Sequence, residues 1–244
     1  MTEPRLSVIS ARNQPFNCLI SLKVGSTFLR NLIYMLDHGE AFSTNEKEFP
    51  TGLLNRELTA VELANEVSFF VVRDPVARFF SLYFDKVVGK EDNRFPWIVA
   101  KLKEHRIFHE GPELSLEQHR ENCMSLLGFL GVRLRGKTKG SINAHWVKQI
   151  TRAEKAIPFG LHPLMLENLE AQLVQIAENR IDGLEQAISR VQSRNRSPQI
   201  ASVVDILTTE MHQKIASLYP EDIQLYDFVK TGWEVLGRPP EIKL

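Results

Sequence analysis

The sequence predicts an α/β fold in which a central parallel sheet is flanked by helices and followed by a largely helical C-terminal part. Two short apolar runs, residues 16–22 (FNCLISL) and Val67–Val72 (VSFFVV), are each followed by a turn and then by apolar residues at helical spacing. The second run is apolar almost throughout, which is typical of a parallel strand covered on both faces. The prediction of an α/β fold rests on these two strand–loop–helix units.

The composition indicates a soluble protein and excludes several function classes. Hydrophobic residues make up 43% of the 244 residues and charged residues 25%, which suits one domain with its own core. Lys and Arg total 30, as do Asp and Glu, so no basic excess favours a nucleic-acid or membrane partner. Apolar runs are too short to span a bilayer. Cys18 and Cys123 lack metal-ligand spacing, which argues against a disulfide framework and favours a reducing, cytoplasmic location.

Helical periodicity follows each predicted strand. Gly39 ends the first helix, Thr59 caps the second, and Pro75 suits the first turn of the third. The elements predicted in this half are a helix over 27–38, a loop region with one helical turn over 41–59, and helices over 60–65 and 76–88.

The remainder of the chain is predicted to be mostly helical from its apolar spacing. The predicted elements are helices over 114–130 (capped at Ser115 or its neighbour), 163–179, 181–191 and 203–218, exposed loops over 131–143 and 192–198, and a late strand or helix end over 223–229.

The first strand–helix loop, residues 23–27 (KVGST), is a candidate anion site. A helix that begins just after it leaves backbone N–H groups pointing at the loop, and the helix dipole favours an anion there. Gly25 would allow close approach, and Lys23, Ser26 and Thr27 would add a charge and two hydroxyl groups. An ordinary turn with a surface lysine is an equally good interpretation of this loop alone. It is not a Walker loop, because Lys23 precedes the only glycine.

The second loop places Arg73 at the end of a strand and Ser81 about two turns into the next helix. A guanidinium and a hydroxyl can hold one phosphate between them. Alternatively, Arg73 pairs locally with Asp74 and Ser81 lies on the helix surface. Both loops are expected at the carboxyl end of the sheet, where ligands bind in open α/β folds, and this favours the phosphate interpretation.

Together these segments resemble the sulfotransferases that use 3′-phosphoadenosine 5′-phosphosulfate, and most closely the carbohydrate (Golgi-type, family 2) group. The segment LISLKVGSTFLRNLIYML resembles the loop that binds the 5′-phosphosulfate. The segment FFVVRDPVARFFSLYFDKV resembles the segment that binds the 3′-phosphate. Residues 143–149 (NAHWVKQ), 166–170 (LENLE) and 218–222 (LYPED) are similar to later family motifs. The resemblance is strong over 16–88 and looser beyond.

The resemblance implies one P-loop-like domain over 1–244, with a donor-binding core at 16–88 and a mostly helical acceptor-side elaboration at 89–244. The reaction would be in-line sulfuryl transfer to a hydroxyl acceptor, with a carbohydrate favoured over other small molecules. No metal would be needed. The residues implied to bind the nucleotide are Lys23, Gly25, Ser26, Thr27, Phe28, Arg73 and Ser81. Lys23 would also stabilise charge on the leaving oxygen.

The acceptor hydroxyl needs a general base. His145 is the first candidate, because it lies in the segment that resembles the family's His-Trp motif. His145 and Trp146 could equally form a packing element or a wall of the substrate site. The other candidates are His38, Glu40, His105, His109 and His119.

Two other functions remain open on the sequence. A nucleotide-binding module without turnover would keep the same loops. A phosphoryl-transfer enzyme would need a magnesium ligand after a strand, and Asp74 is the one candidate.

Overall fold

The fold is organised around one five-stranded sheet. The computed structural model of the chain describes residues 3–42, 51–89, 94–105, 107–111, 113–136, 143–192 and 202–242. The strands lie in the order β3-β1-β2-β4-β5, and their bounds are β1 Arg5–Ser10, β2 Phe16–Leu19, β3 Asn55–Thr59, β4 Val67–Val72 and β5 His162–Met165.

The sheet is mixed, so the predicted parallel sheet is correct for only one side of it. β2 pairs parallel to β4, and β4 pairs parallel to β5. β1 runs antiparallel to both β2 and β3. The short loop 11–15 between β1 and β2 is the physical reason, since a connection of this length can join only antiparallel neighbours. The parallel half carries both loops predicted to bind the nucleotide.

The helices match the apolar periodicity closely at most positions. Gly39 ends the first helix at φ 74°, and Thr59 forms a capping box with Glu62. A π-helical turn, Tyr83–Val87, follows the fourth helix directly. The helices are α1 Ser26–His38, α2 Thr51–Leu54, α3 Ala60–Asn65, α4 Pro75–Leu82, α5 Pro96–His105, α6 Leu116–Leu134, α7 Ile150–Ala156, α8 Leu169–Ala177, α9 Leu184–Gln192, α10 Val203–Ile206, α11 Thr209–Leu218 and α12 Pro220–Leu236.

Some predicted elements are wrong, and others are tested only in part. Residues 55–59 form β3 rather than a loop, and β1 was not predicted at all. The helix predicted over 163–179 is split, because its first residues form β5 and a 3-10 turn before α8 begins. For the segment 223–229, predicted as a late strand or a helix end, the helical alternative is the correct one, since the segment lies inside α12. Most of the loops predicted at 131–143 and 192–198 lie outside the described residues or inside helices α6 and α9.

The chain divides into two units, each with its own apolar core. The first contains the described residues of 1–73, 149–197 and 224–244, and its core packs α1, α8 and α9 against the sheet. The second contains the described residues of 74–148 and 198–223, and its core lies between α4, α6 and α11. Cys18 and Cys123 are both buried and free. None of the helices in the described part of the chain combines the length and the apolar character that crossing a bilayer requires.

Candidate active site

The loop between β2 and α1 has the backbone form of an anion site. Lys23 and Gly25 both adopt positive φ, at 66° and 79°, and Val24 between them is buried at 1% exposure. Gly25 is the N-cap of α1, and no side chain caps this helix end. Helix geometry leaves the N–H groups of the first turn, at residues 26–28, without an acceptor inside the helix. These amides and the positive end of α1 favour a bound anion.

Gly25 suits this position because of its backbone conformation and the small space beside it. Its φ of 79° is strained for an L side chain. A Cβ atom at this position would lie 2.8 Å from Cδ1 of Leu166, which is well inside van der Waals contact. The 3-10 turn after β5 therefore packs directly against the loop, and only glycine fits without displacing one of them.

Arg73 joins the ends of the two neighbouring parallel strands. It follows β4 by one residue, and its Nη1 atom donates a hydrogen bond of 3.1 Å to the backbone carbonyl of Lys23. The guanidinium thus lies against the loop that precedes α1. Residues predicted from two separate motifs meet here within one unit.

Gln149 holds the backbone of Arg73 in place. Its Oε1 accepts from the Arg73 N–H at 2.9 Å, and its Nε2 donates to the Arg73 carbonyl at 2.8 Å. The Gln149 side chain is buried. No role was predicted for Gln149 from the sequence, although it ends the quoted segment NAHWVKQ.

The second unit contains the start of α4 and the remaining predicted residues. Asp74 caps α4 by accepting from the N–H of Ala77 at 2.7 Å, which explains its presence without a magnesium ion. Ser81 lies on α4 and is half-buried. Its predicted part in binding the 3′-phosphate stays a prediction.

Arg78 forms a buried ion pair in the second unit and hydrogen-bonds to the segment around His145. Nη2 of Arg78 donates to the carbonyls of His145 and Val147 at 3.1 and 2.8 Å. Its Nη1 lies 3.8 Å from a carboxylate oxygen of Asp222, and these side chains are only 5% and 1% exposed. Burial lowers the pKa of Arg78, and the neighbouring Asp222 and Tyr219 oppose that shift. Arg78 therefore holds the two backbone carbonyls on either side of Trp146.

Tyr219 adds a third contact to the same segment. Its hydroxyl donates to the carbonyl of Trp146 at 3.3 Å, and burial raises the pKa of this phenol. The segment LYPED, which resembles a late family motif, thus supplies Tyr219, which bonds to the segment around His145, and Asp222, which pairs with Arg78. The Trp146 side chain itself is buried in the core of the second unit, as the packing interpretation expected.

The tautomer of His145 follows from its contacts with Asn143. The His145 backbone N–H donates to Oδ1 of Asn143 at 3.0 Å, which identifies that atom as the oxygen. Nδ1 of His145 lies 2.7 Å from the same oxygen and must carry a proton to bond with it. In the neutral ring Nε2 is then the basic nitrogen, as a general base requires.

The other candidate bases have different surroundings. His38 and Glu40 lie at or beyond the end of the 13-residue helix α1, about 20 Å from the loop at its start. His119 is buried with its Nδ1 2.7 Å from the Tyr83 hydroxyl. Nε2 of His109 bonds to the carboxylate of Glu121. The side chain of His105 lies outside the described residues.

Metal ligands are not grouped in the described part of the chain, where no three His, Cys, Asp or Glu side chains are placed to hold an ion. The groups that could hold a ligand here are Lys23, Arg73 and the backbone N–H groups of residues 26–28. The backbone geometry of the loop makes it a candidate site for an anion.

The sheet and the amide-lined loop define an α/β protein with a candidate anion site after a parallel strand. A family model described as the sulfotransferase family matches residues 7–229. The chain belongs to the sulfotransferase family, which transfers sulfuryl groups. No curated protein and no solved structure matches the chain in the corresponding searches.

Proposed function

We propose that the chain transfers a sulfuryl group from 3′-phosphoadenosine 5′-phosphosulfate to a hydroxyl group of a carbohydrate. The observation that carries the proposal is the 3.1 Å hydrogen bond from the Arg73 guanidinium to the Lys23 carbonyl. This bond joins the motif that would bind the 3′-phosphate to the loop that would bind the 5′-phosphosulfate. The amides of residues 26–28 would take the 5′-phosphosulfate, and Arg73 would take the 3′-phosphate.

Lys23 is the proposed catalytic cation. Sulfuryl transfer leaves negative charge on the bridging oxygen of the nucleotide as the bond to sulfur breaks. A cation beside that oxygen stabilises the transition state more than the ground state. Lys23 begins the loop KVGST, and the positive end of α1 lies next to it in sequence. These charges suit the reaction without a metal ion.

His145 is the proposed general base. Asn143 sets its tautomer so that Nε2 can accept the proton of an acceptor hydroxyl. The Phe95 ring lies 5.0 Å from the imidazole, centroid to centroid, and stacks with the exposed ring of Trp97. Aromatic faces of this kind can pack against the C–H face of a sugar, which supports a carbohydrate acceptor.

The donor assignment is tested by melting the full chain with adenosine 3′,5′-bisphosphate, and separately with ATP and magnesium. Bisphosphate at a hundred times its dissociation constant adds about 2.7 kcal/mol to the free energy of unfolding. For a chain of this length, that raises the melting temperature by roughly 5–10 °C. Arg73→Ala and Lys23→Ala should remove most of the rise, whereas Lys155→Ala, an exposed lysine on α7, should keep it.

Two outcomes would redirect the proposal. Equal stabilisation by ATP with magnesium would favour a phosphoryl-transfer enzyme. Bisphosphate binding without transfer of labelled sulfate to any member of a hydroxyl-acceptor panel would favour a nucleotide-binding module. Transfer to sugars, lost in His145→Ala while bisphosphate affinity is kept, would support the full proposal.

A further inference from the structure

Arg73 stands one residue beyond the last paired residue of its strand. The parallel pairing of β4 with β5 ends at Val72 and Met165. The N–H and carbonyl of Arg73 lie beyond this ladder, and buried backbone groups of this kind need a hydrogen-bond partner. Some other group has to fix this peptide if the Arg73 side chain is to have one direction.

The carboxamide of Gln149 forms the hydrogen bonds that a neighbouring strand would otherwise form with the Arg73 peptide. An amide side chain offers one acceptor and one donor in the same arrangement as a peptide group, and Gln149 uses both on Arg73, at 2.9 and 2.8 Å. Its own backbone is anchored, because its carbonyl accepts from the N–H groups of Arg152 and Ala153 at the start of α7. Since Gln149 is only 3% exposed, water does not compete for these bonds.

We infer that Gln149 is a positioning residue that directs the Arg73 guanidinium toward the 3′-phosphate of the nucleotide. The inference rests on the proposed function, in which Arg73 binds that phosphate. Gln149 fixes the backbone from which the side chain starts, and the Lys23 carbonyl fixes the guanidinium at the other end. Both hydrogen bonds of the Gln149 carboxamide go to the backbone of Arg73, so Gln149 would act through Arg73.

The test compares two nucleotides that differ only in the 3′-phosphate. Calorimetry gives the dissociation constants of adenosine 5′-phosphate and adenosine 3′,5′-bisphosphate, and their ratio measures the contribution of the 3′-phosphate alone. We expect the wild-type ratio to favour the bisphosphate by at least about tenfold, as a charge-assisted contact does. Gln149→Met, which keeps the volume and loses both hydrogen bonds, should reduce the ratio by about tenfold. Gln149→Asn, too short to reach, should do the same if the methionine variant folds poorly.

Gln172 provides a matched control. It is also buried, and its Oε1 accepts from the N–H of Met165 at 2.7 Å, at the end of the neighbouring strand β5. Gln172→Met should lower the stability in the same way as Gln149→Met, but it should leave the nucleotide ratio unchanged. A loss of ratio in both variants would mean that general loosening of the sheet end, and not positioning, is responsible.

The double variant decides whether Gln149 acts through Arg73. In an Arg73→Ala background, Gln149→Met should change the ratio no further, and a further loss would overturn the inference. An unchanged ratio in the single Gln149 variant would also overturn it, while leaving the proposed function intact. A wild-type ratio near one would instead refute the proposed function itself, since Arg73 would then not bind a 3′-phosphate.

Discussion

Replacing Gly25 by alanine should damage the loop in two separable ways. At φ 79° an L side chain is strained, which costs about 1–2 kcal/mol of stability. The new methyl would also lie 2.8 Å from Cδ1 of Leu166. Because this atom ends a flexible side chain, turning it aside costs only about 0.5–1.5 kcal/mol more. Gly39 at the other end of α1 has a similar φ of 74°, and a Cβ atom there would meet no other group within 4 Å, so Gly39→Ala isolates the first effect.

Urea unfolding and bisphosphate calorimetry of both variants separate the two effects. Gly39→Ala should lose only the conformational part and bind the bisphosphate within about twofold of wild type. Gly25→Ala should lose more stability, and its affinity should fall at least about tenfold because the displaced loop misaligns its amides. Equal stability losses, together with full bisphosphate affinity in Gly25→Ala, would refute the idea that close packing on Leu166 shapes the anion site.

Two further predictions concern histidines of the second unit. Burial lowers the pKa of His119 below its ordinary value of 6.5, so the unfolded chain gains a proton first as the pH falls. Above about pH 6.5 the titration of His119 does not change the stability; below that pH, it lowers the free energy of unfolding by at most about 1.4 kcal/mol per pH unit. Urea unfolding at about pH 7 and about pH 5.5 should therefore show a smaller loss of stability in His119→Gln than in wild type. An equal loss in both proteins would exclude His119 as the cause. Asn143→Ala should lower kcat at least about tenfold, because His145 loses the acceptor that fixes its tautomer, with bisphosphate affinity unchanged; a wild-type kcat would remove Asn143 from the mechanism.

The sequence predicted elements whose pattern is local and missed those that depend on a partner. α1 and β4 have clear periods and clear ends, and both were found at nearly the right bounds. β3 (NRELT) is short, polar and at the edge of the sheet, so only its pairing with β1 makes it a strand. β5 contains Pro163, which an edge strand tolerates, and its leucine continues the helical spacing of α8.

The residues of the candidate site also fall into those that a local pattern predicts and those that depend on a distant partner. Lys23, Gly25 and Arg73 were singled out because each lies where a strand ends, and that position can be inferred from a local pattern. Gln149 was missed because it contacts a residue 76 positions away. Asp222 was noted only as part of a motif, since nothing local indicates that its carboxylate faces a buried arginine. Residues that position others are recognised from tertiary contacts, which one sequence does not display.

The Arg78–Asp222 pair allows positioning to be separated from stability. Asp222→Ala leaves a buried guanidinium without its carboxylate, which costs about 3–5 kcal/mol, with the lower end favoured because Arg78 keeps its two carbonyl contacts. A double variant, Arg78→Met with Asp222→Leu, removes both charges, and apolar replacement of a buried ion pair is often neutral or stabilising. Its stability in urea should therefore exceed that of Asp222→Ala.

Sulfuryl transfer should not recover with stability in that double variant. The carbonyls of His145 and Val147 lose the donors that hold them, so the proposed base is held less firmly even though the core is repacked. We expect a kcat at least about tenfold below wild type with unchanged bisphosphate affinity. A double variant that regains both stability and kcat would show that the ion pair serves folding alone. A stability loss below about 1 kcal/mol in Asp222→Ala, far under the usual cost of breaking a buried pair, would show that the charge of Arg78 is already satisfied by the backbone carbonyls.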